Sequence, residues 1–421
     1  MDATDSNHEQ TLPAMDSWTI SFPRRSYDEA ASSKGPEPLR RWVGLIVQHS
    51  SCPSKWHVRV AYHGALQSSS SPTPTRRPNR RRDLEDLCMC IDFQKIQLLD
   101  DTVTELVLAR HHDADAQKVN GLFELPTRSQ PDADSEYAAI VGQLVCVRLQ
   151  EDPQRIRYPL LDSNGTCNLN TPTVDLADIV VEHDFIVGVY KVHVVNDATT
   201  PYIYKVVDRP LYDPRDTEVL EQELRNLHLL GGTEGIVRLV AAVVSKNPYQ
   251  TSTESNQENN NATKVLRGIL LEYHPNGTLQ EVLRPSESAH MDGRWRAWGL
   301  QIAKALARLH QNGITHMDLK PTNIVITADW NVVLIDISGI GGVTREWLSP
   351  EMLNDIKPLS RSMEARKCND IWALGKMLSA MADVSHVGEE SQLLRDIAQA
   401  ALQIPCSQRI SLGDIIAKLS T

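Results

Sequence analysis

Residues 316–323 read H-M-D-L-K-P-T-N and lie between a helical-looking run, 296–312, and the apolar stretch Ile324-Val325-Ile326. A carboxylate (Asp318), an amine (Lys320) and a carboxamide (Asn323) fall close together on a segment flanked by apolar anchors, where a core would not want them. Such a set suits the alignment of a hydroxyl, a phosphate and a metal ion. Other charges also sit in apolar surroundings. Lys205 interrupts the strand-like Tyr202-Ile203-Tyr204-Lys205-Val206-Val207, where a buried ammonium demands an anion. Glu223, a candidate partner, lies on a helical run whose Leu224, Leu227 and Leu230 mark the buried face. Taken alone, that pair reads more simply as a Lys snorkelling from an edge strand and a surface Glu. Asp336 directly follows Val332-Val333-Leu334-Ile335, a poor place for a core carboxylate, with a plain surface turn as the competing reading.

These residues need elements to position them. From about Ile179 the pattern runs strand, strand, strand, helix, strand, polar loop, strand, and then mostly helix, with the period changing from two to 3.6 near Leu279. Trp298 to His310 is amphipathic at helical spacing through Leu300, Ile302, Ala303, Leu306 and Leu309, and delivers Gly313-Ile314-Thr315-His316 into the polar loop.

In that order the motifs resemble the eukaryotic protein kinase superfamily. Residues 316–323 match its H-R-D-L-K-P-x-N loop except at Met317, where the family usually has Arg. The resemblance implies an α+β, bilobal protein-kinase-like fold with a β-rich N-lobe and a helical C-lobe. It implies that Lys205 holds the ATP phosphates and is held by Glu223. Asp318 orients or deprotonates the acceptor hydroxyl, Lys320 neutralises the γ-phosphate, and Asn323 and Asp336 bind Mg2+. Gly268 to Leu279 resembles the hinge, with Leu271 at the back of the pocket and the Glu272 carbonyl and His274 amide facing adenine. Thr344-Arg345-Glu346-Trp347-Leu348 and Ser349-Pro350-Glu351 resemble the acceptor platform, which places Thr344 in the catalytic group and pairs Glu351 with Arg409 in a buried bridge. Asp370 of D-I-W-A-L-G would tie down the backbone near His316, whose ring would stack with Leu227 and Ile337.

The departures carry their own expectations. Asp184 to Val194 offers only Gly188 where the family has G-x-G-x-x-G, so the grip on nucleotide is weakened, and Ile203 stands where a small Ala usually roofs the adenine. Only Ile340 to Val343 separate Gly339 from Thr344, so the activation loop is nearly absent. Its shortness and Met317 explain each other, which implies an enzyme not switched by phosphorylation there. The implied activity is that of a divergent Ser/Thr protein kinase, similar to kinase-like proteins of filamentous fungi, with ATP and Mg2+ as cofactors and an unidentified protein as substrate. A pseudokinase scaffold and a small-molecule kinase are the alternatives.

Composition sets outer bounds. Across 421 residues the formal net charge is −11, which argues against nucleic-acid binding by bulk electrostatics. No apolar run is long enough to span a membrane, and the first thirty residues lack the order of a signal peptide, so the expected location is cytoplasmic or nuclear. The seven Cys, at 52, 88, 90, 146, 167, 368 and 406, read as free thiols. Residues 1–37 are expected to lack fixed structure. Residues 38–165 should form a β-rich or α+β module with an exposed Ser/Pro/Arg loop at 68–82, whose arginines suit plain solvation, a nuclear-import signal or a contact for an acidic partner. A linker follows at 166–178. The kinase-like domain then covers 179–421, divided at 274/275, with a solvent-exposed loop at 247–261.

Overall fold

The computed structural model describes residues 18–23, 26–29, 34–35, 38, 40–49, 54–64, 66, 75–111, 123–128, 136–160, 171–208, 212–252, 264–288, 291 and 293–421. They form two compact units, Met1–Arg155 with Asn247–Asn260, and Ile156–Lys246 with Asn261–Thr421.

The first unit contains β1 (Trp18–Ser21), β2 (Tyr27–Glu29), β3 (Lys34–Gly35), β4 (Arg40–His49), β5 (Lys55–His63), β6 (Thr75–Arg76), α1 (Arg77–Met89), β7 (Val103–Arg110), β8 (Phe123–Glu124), α2 (Glu136–Val141) and β9 (Leu144–Glu151). Its main sheet has the order β1-β4-β5-β7-β9-β8, with β2 also on β4. Strand alternation sends Val43, Leu45, Val47, Val58, Val60 and Tyr62 into one core with Leu84, Leu87 and Cys88 of α1. A β-rich module therefore does precede the helical part of the chain.

Several expectations change here. β1 and β2 lie inside the stretch expected to lack structure. Part of the Ser/Pro/Arg loop is α1, opened by a proline in its first turn, while residues 67–74 lie outside the described residues. Arg80 is buried, its Nε 2.8 Å and Nη2 2.5 Å from the Glu29 carboxylate, which also accepts from the Tyr27 hydroxyl at 2.5 Å. Burial alone would raise the Glu29 pKa, but Arg80 and Tyr27 outweigh it and hold the carboxyl below its usual range. The partners stand 51 residues apart in the chain, so no local pattern revealed them. The loop expected to be solvent-exposed has a buried residue too. Thr251 donates its N–H to Asp101 Oδ1 (2.9 Å), accepts from Asp101 N–H through Oγ1 (2.8 Å), and accepts from Lys55 N–H through its carbonyl (2.8 Å). Residues 253–263 lie outside the described residues.

The second unit opens with β10 (Thr173–Asp175), β11 (Ile179–Ile186), β12 (Val189–Val194), β13 (Asp197–Lys205), α3 (Pro214–Leu229), β14 (Leu239–Lys246) and β15 (Lys264–Glu272). These strands form a sheet of order β10-β14-β15-β13-β12-β11. β10 pairs in parallel with β14, so the C-terminal part of the expected linker is sheet, while residues 161–170 lie outside the described residues. α3 starts at a capping box of Asp213 and Asp216, and lays Leu220, Leu224 and Leu227 against the sheet.

The helical half follows: α4 (Leu279–Val282), α5 (Pro285–Ser288), α6 (Trp295–Gln311), the hairpin of β16 (Ile324–Ile326) and β17 (Val332–Leu334), α7 (Met363–Val384), α8 (Gly388–Ala401) and α9 (Leu412–Ser420). At Gly299 of α6 an added Cβ would lie 2.8 Å from Leu378 of α7, so glycine permits the close packing of these helices. The order is the one expected, a β-rich half followed by a helical half. Cys368 and Cys406 are joined in a disulfide, against the expectation of free thiols throughout. They are 38 residues apart and meet only because the fold brings α7 beside the loop that precedes α9. Among the described residues no helix is long and apolar enough to cross a membrane.

Removing one partner of a buried ion pair strands the other charge, at a cost of about 3–5 kcal/mol. Arg80→Ala should therefore lower the denaturant midpoint of the first unit sharply, while Arg82→Ala at the exposed part of α1 should not. Because the Glu29 pKa is depressed, the stabilisation exists above the unfolded carboxyl pKa and is lost as pH falls through the folded value. Equal unfolding curves for the two variants at neutral pH would refute this.

Candidate active site

The polar loop 316–323 is held from beneath by one carboxylate. Asp370, fully buried on α7, accepts from the N–H groups of His316 (2.9 Å) and Met317 (2.8 Å), and its Oδ2 lies 2.9 Å from His310 Nε2. Met317 adopts φ +66°, a left-handed conformation that costs a non-glycine residue about 1–3 kcal/mol. The Asp370 bond offsets this strain, as does an apolar cluster of Met317, Leu348 and Met352. The His316 ring is buried, with Nε2 3.1 Å from the Ile335 carbonyl, and Leu227 and Ile337 are buried in the adjoining core.

Four of the expected residues meet on this loop. Lys320 Nζ donates to Asp318 Oδ2 (2.7 Å) and to Thr344 Oγ1 (2.8 Å). Asn323 Nδ2 donates to the Asp318 carbonyl (2.9 Å) and to Oδ2 (3.3 Å). Asp318 Oδ1 is buried and makes no hydrogen bond among the described residues.

A second group forms where α3 faces the end of β13. Lys205 Nζ donates to Glu223 Oε2 at 2.6 Å and to Asp336 Oδ1 at 2.5 Å. Burial alone would push the Lys205 pKa down, but the charges of Asp336 and Glu223 outweigh it and raise it. Burial raises the Glu223 pKa, with Lys205 opposing and Asp336 adding. For Asp336 burial also acts upward, yet Lys205, helped by His316 and Lys320, brings its pKa down.

Residues not singled out in the sequence fasten the segment after Asp336, itself at φ +60°. Asn226 Nδ2 donates to the carbonyls of Ile337 (2.7 Å) and Ser338 (3.2 Å), Arg366 Nη2 to that of Gly339 (2.8 Å), and Arg215 Nη2 to that of Ile340 (3.0 Å). Asn226 had a sequence signal, a carboxamide within the buried stripe of Leu220, Glu223, Leu224 and Leu227. The arginines had none, since their partners are distant backbone oxygens. Glu351 and Arg409 form a separate bridge, with Nη2 2.7 Å from both carboxylate oxygens. It is only half buried, Arg409 being 1% and Glu351 36% exposed at the side chain, which corrects the expectation of a buried pair.

The sheet side is less regular. Ile203 pairs in register with Leu271, which is buried. β15 ends at Glu272, whose carboxylate accepts from Arg238 N–H (2.9 Å) and lies 3.2 Å from His274 Nε2. Burial would raise the Glu272 pKa, but His274 and Arg238 hold it down. Gly188 (φ +83°) and Val187 form a two-residue turn between β11 and β12. A Cβ on Gly188 would come within 2.6 Å of the Val206 carbonyl, so glycine is required there by the turn itself.

The family model described as "Protein kinase domain" matches residues 187–412, more than half of the chain. Similar proteins include the serine/threonine-protein kinase PKH2 of Saccharomyces cerevisiae, 32% identical over 27% of this chain and 12% of the relative. The probable serine/threonine-protein kinase KIN28 homolog of Encephalitozoon cuniculi is 33% identical over 25% of this chain and 35% of the relative. The probable inactive leucine-rich repeat receptor kinase XIAO of Oryza sativa subsp. japonica is 33% identical over 23% of this chain and 10% of the relative. The chain thus spans about a third or less of the length of these relatives.

Asp370→Ala would leave the His316 and Met317 amides buried without an acceptor, at about 1–3 kcal/mol each. Hydrogen exchange at residues 315–318 should accelerate at least tenfold, as a loss of ~1.4 kcal/mol implies. Unchanged protection would show that Asp370 does not hold the loop.

Proposed function

The chain belongs to the protein kinase family, and from that premise we propose that it transfers the γ-phosphoryl group of ATP to a serine or threonine hydroxyl of a protein. The observation that carries this reading is the cluster of Asp318, Lys320, Asn323 and Thr344 joined by hydrogen bonds, with Asp318 Oδ1 left without a hydrogen-bond partner among the described residues. A substrate hydroxyl donates to Oδ1. As its oxygen bonds to the γ-phosphorus, the bond to the bridging oxygen of ADP breaks and the hydroxyl proton passes to Asp318. Lys320, already between Asp318 and Thr344, offsets charge on the transferring group, and Thr344 lines the acceptor side. Lys205 takes the α- and β-phosphates, with Glu223 fixing its direction. Gly188, Ile203, Leu271, Glu272 and His274 border the nucleotide in this reading.

The oxygen donors that would hold a magnesium ion are the Asn323 carboxamide oxygen and the Asp336 carboxylate. They fit, because Asn323 uses its nitrogen on Asp318 and so presents its oxygen, and the Asp336 side chain is 45% exposed. So few protein donors suit a hard cation that keeps water and phosphate ligands, and such an ion neutralises phosphate charge when bound. His316, Asp370, Glu351 and Arg409 support the loop and the acceptor platform.

The second reading is a catalytically silent family member that binds partners. It is favoured by the hairpin of β11 and β12, where exposed Ile186 and Val187 precede the single Gly188, and by a similar protein named as probably inactive.

With radiolabelled ATP and a generic protein substrate, Asp318→Asn should reduce transfer by about 10²–10⁴-fold, the range for a positioned base, and Lys205→Met should abolish it. Equal incorporation by wild type and Asp318→Asn would sink the enzyme reading. The segment after Asp336 is fastened through backbone carbonyls, so phosphatase treatment should leave activity unchanged. A loss on dephosphorylation, restored by rephosphorylation between Asp336 and Glu351, would contradict that.

A further inference from the structure

The cleft face of the sheet carries side chains that the proposed reaction does not use. Register identifies them. Lys205 pairs with Val189, and Ile203 pairs with both Lys191 and Leu271. Lys205 points to Glu223 and Asp336, so Ile203, two residues earlier, and its partner Lys191 face the same way, as does His193. Tyr190, Val192 and Tyr204 face the opposite apolar cluster. Lys191 Nζ lies 3.0 Å from Glu182 Oε2, and His193 Nδ1 lies 3.1 Å from Glu182 Oε1. A charged group therefore roofs the cleft beside Ile203, where a purine would present its apolar face.

The same group reaches the segment after β15. Lys191 Nζ stands 5.3 Å from the centroid of the Tyr273 ring. The Phe185 ring stacks on Tyr273 at 6.4 Å with 19° between planes, and His183 meets Phe185 edge-on at 5.2 Å. On its other side the turn is tied down, because Val206 N–H donates to the Gly188 carbonyl at 2.9 Å. The hairpin is thus fastened at both edges and offers phosphates apolar side chains where a glycine loop would offer amides.

We propose that Phe185 and Lys191, seated on Tyr273 with Glu182 holding Lys191, form a clip that closes the cleft and sets its affinity for nucleoside triphosphate. This rests on the kinase reading of the same site. A purine must part Phe185 from Tyr273, and it must desolvate the Lys191–Glu182 pair, whose side chains are 30% and 35% exposed. Both steps subtract from the binding that Lys205 and the hinge supply. Phe185 and Lys191 accordingly limit affinity without taking part in phosphoryl transfer.

The test is titration of the full chain with Mg-ATP by calorimetry, for wild type, Phe185→Gly, Lys191→Val, and the conservative Phe185→Tyr and Lys191→Arg. Opening the clip should lower Kd about tenfold or more in Phe185→Gly and in Lys191→Val, tenfold being the effect of ~1.4 kcal/mol. The conservative variants, which keep the ring stack and the cation, should bind like wild type. Binding by the opened variants where wild type shows none would equally support the clip. If wild type binds Mg-ATP and the opened variants bind no better, the clip is wrong and the kinase reading stands. If none of the proteins binds Mg-ATP, both are overturned.

Discussion

The ammonium of Lys205 is the charge around which the second unit is arranged. It ends β13 directly after Tyr202, Ile203 and Tyr204, and burying it without anions would cost several kcal/mol. Its anions come from opposite sides, Glu223 on α3 and Asp336 after β17. Satisfying it therefore docks α3 against the sheet and brings the start of the segment after Asp336 to the same point. Asp336 accepts a left-handed backbone there, and Asn226, one turn along α3 from Glu223, fastens the next carbonyls. One electrostatic requirement thus joins the β-rich half to the helical half.

The polar loop depends on a second buried charge, Asp370, which serves backbone amides in place of a cation. With Met317 where an arginine is usual, the loop and the segment after Asp336 meet through Met317, Leu348 and Met352. Apolar contact of this kind has no charge to be supplied or withdrawn. Arg366 and Arg215 are spent on carbonyls of the same segment. The very short segment seen in the sequence is thus held by side chains of the chain itself, Asn226, Arg366 and Arg215 on its carbonyls and Met317 on Leu348 and Met352.

The first unit follows a different logic. Its sheet has a core of alternating aliphatic side chains, and Arg59 lies between Glu105 and Asp152 at 3.1 and 2.9 Å. The basic cluster of the Ser/Pro/Arg stretch contributes a structural arginine, Arg80, to the interior. Charge runs are usually solvated, and a polar partner far along the chain is what makes this one an exception.

The sequence by itself determined the kind of site. Asp318, Lys320 and Asn323 are within six residues, so their proximity is a property of the chain, and period-two and period-3.6 patterning located the strands and helices that carry Lys205 and Glu223. Local signals of that sort survive folding because they arise from steric and hydrophobic constraints on neighbouring residues. Only the tertiary structure decided which distant groups meet: Arg80 with Glu29, Cys368 with Cys406, Thr251 with Asp101, and Lys191 and Phe185 with Tyr273. Those pairings depend on strand register and helix packing, where a shift of one residue turns a side chain to the other face. Hence the polar loop 316–323 was readable in sequence order, and the neighbours of Lys191 and Phe185 were not.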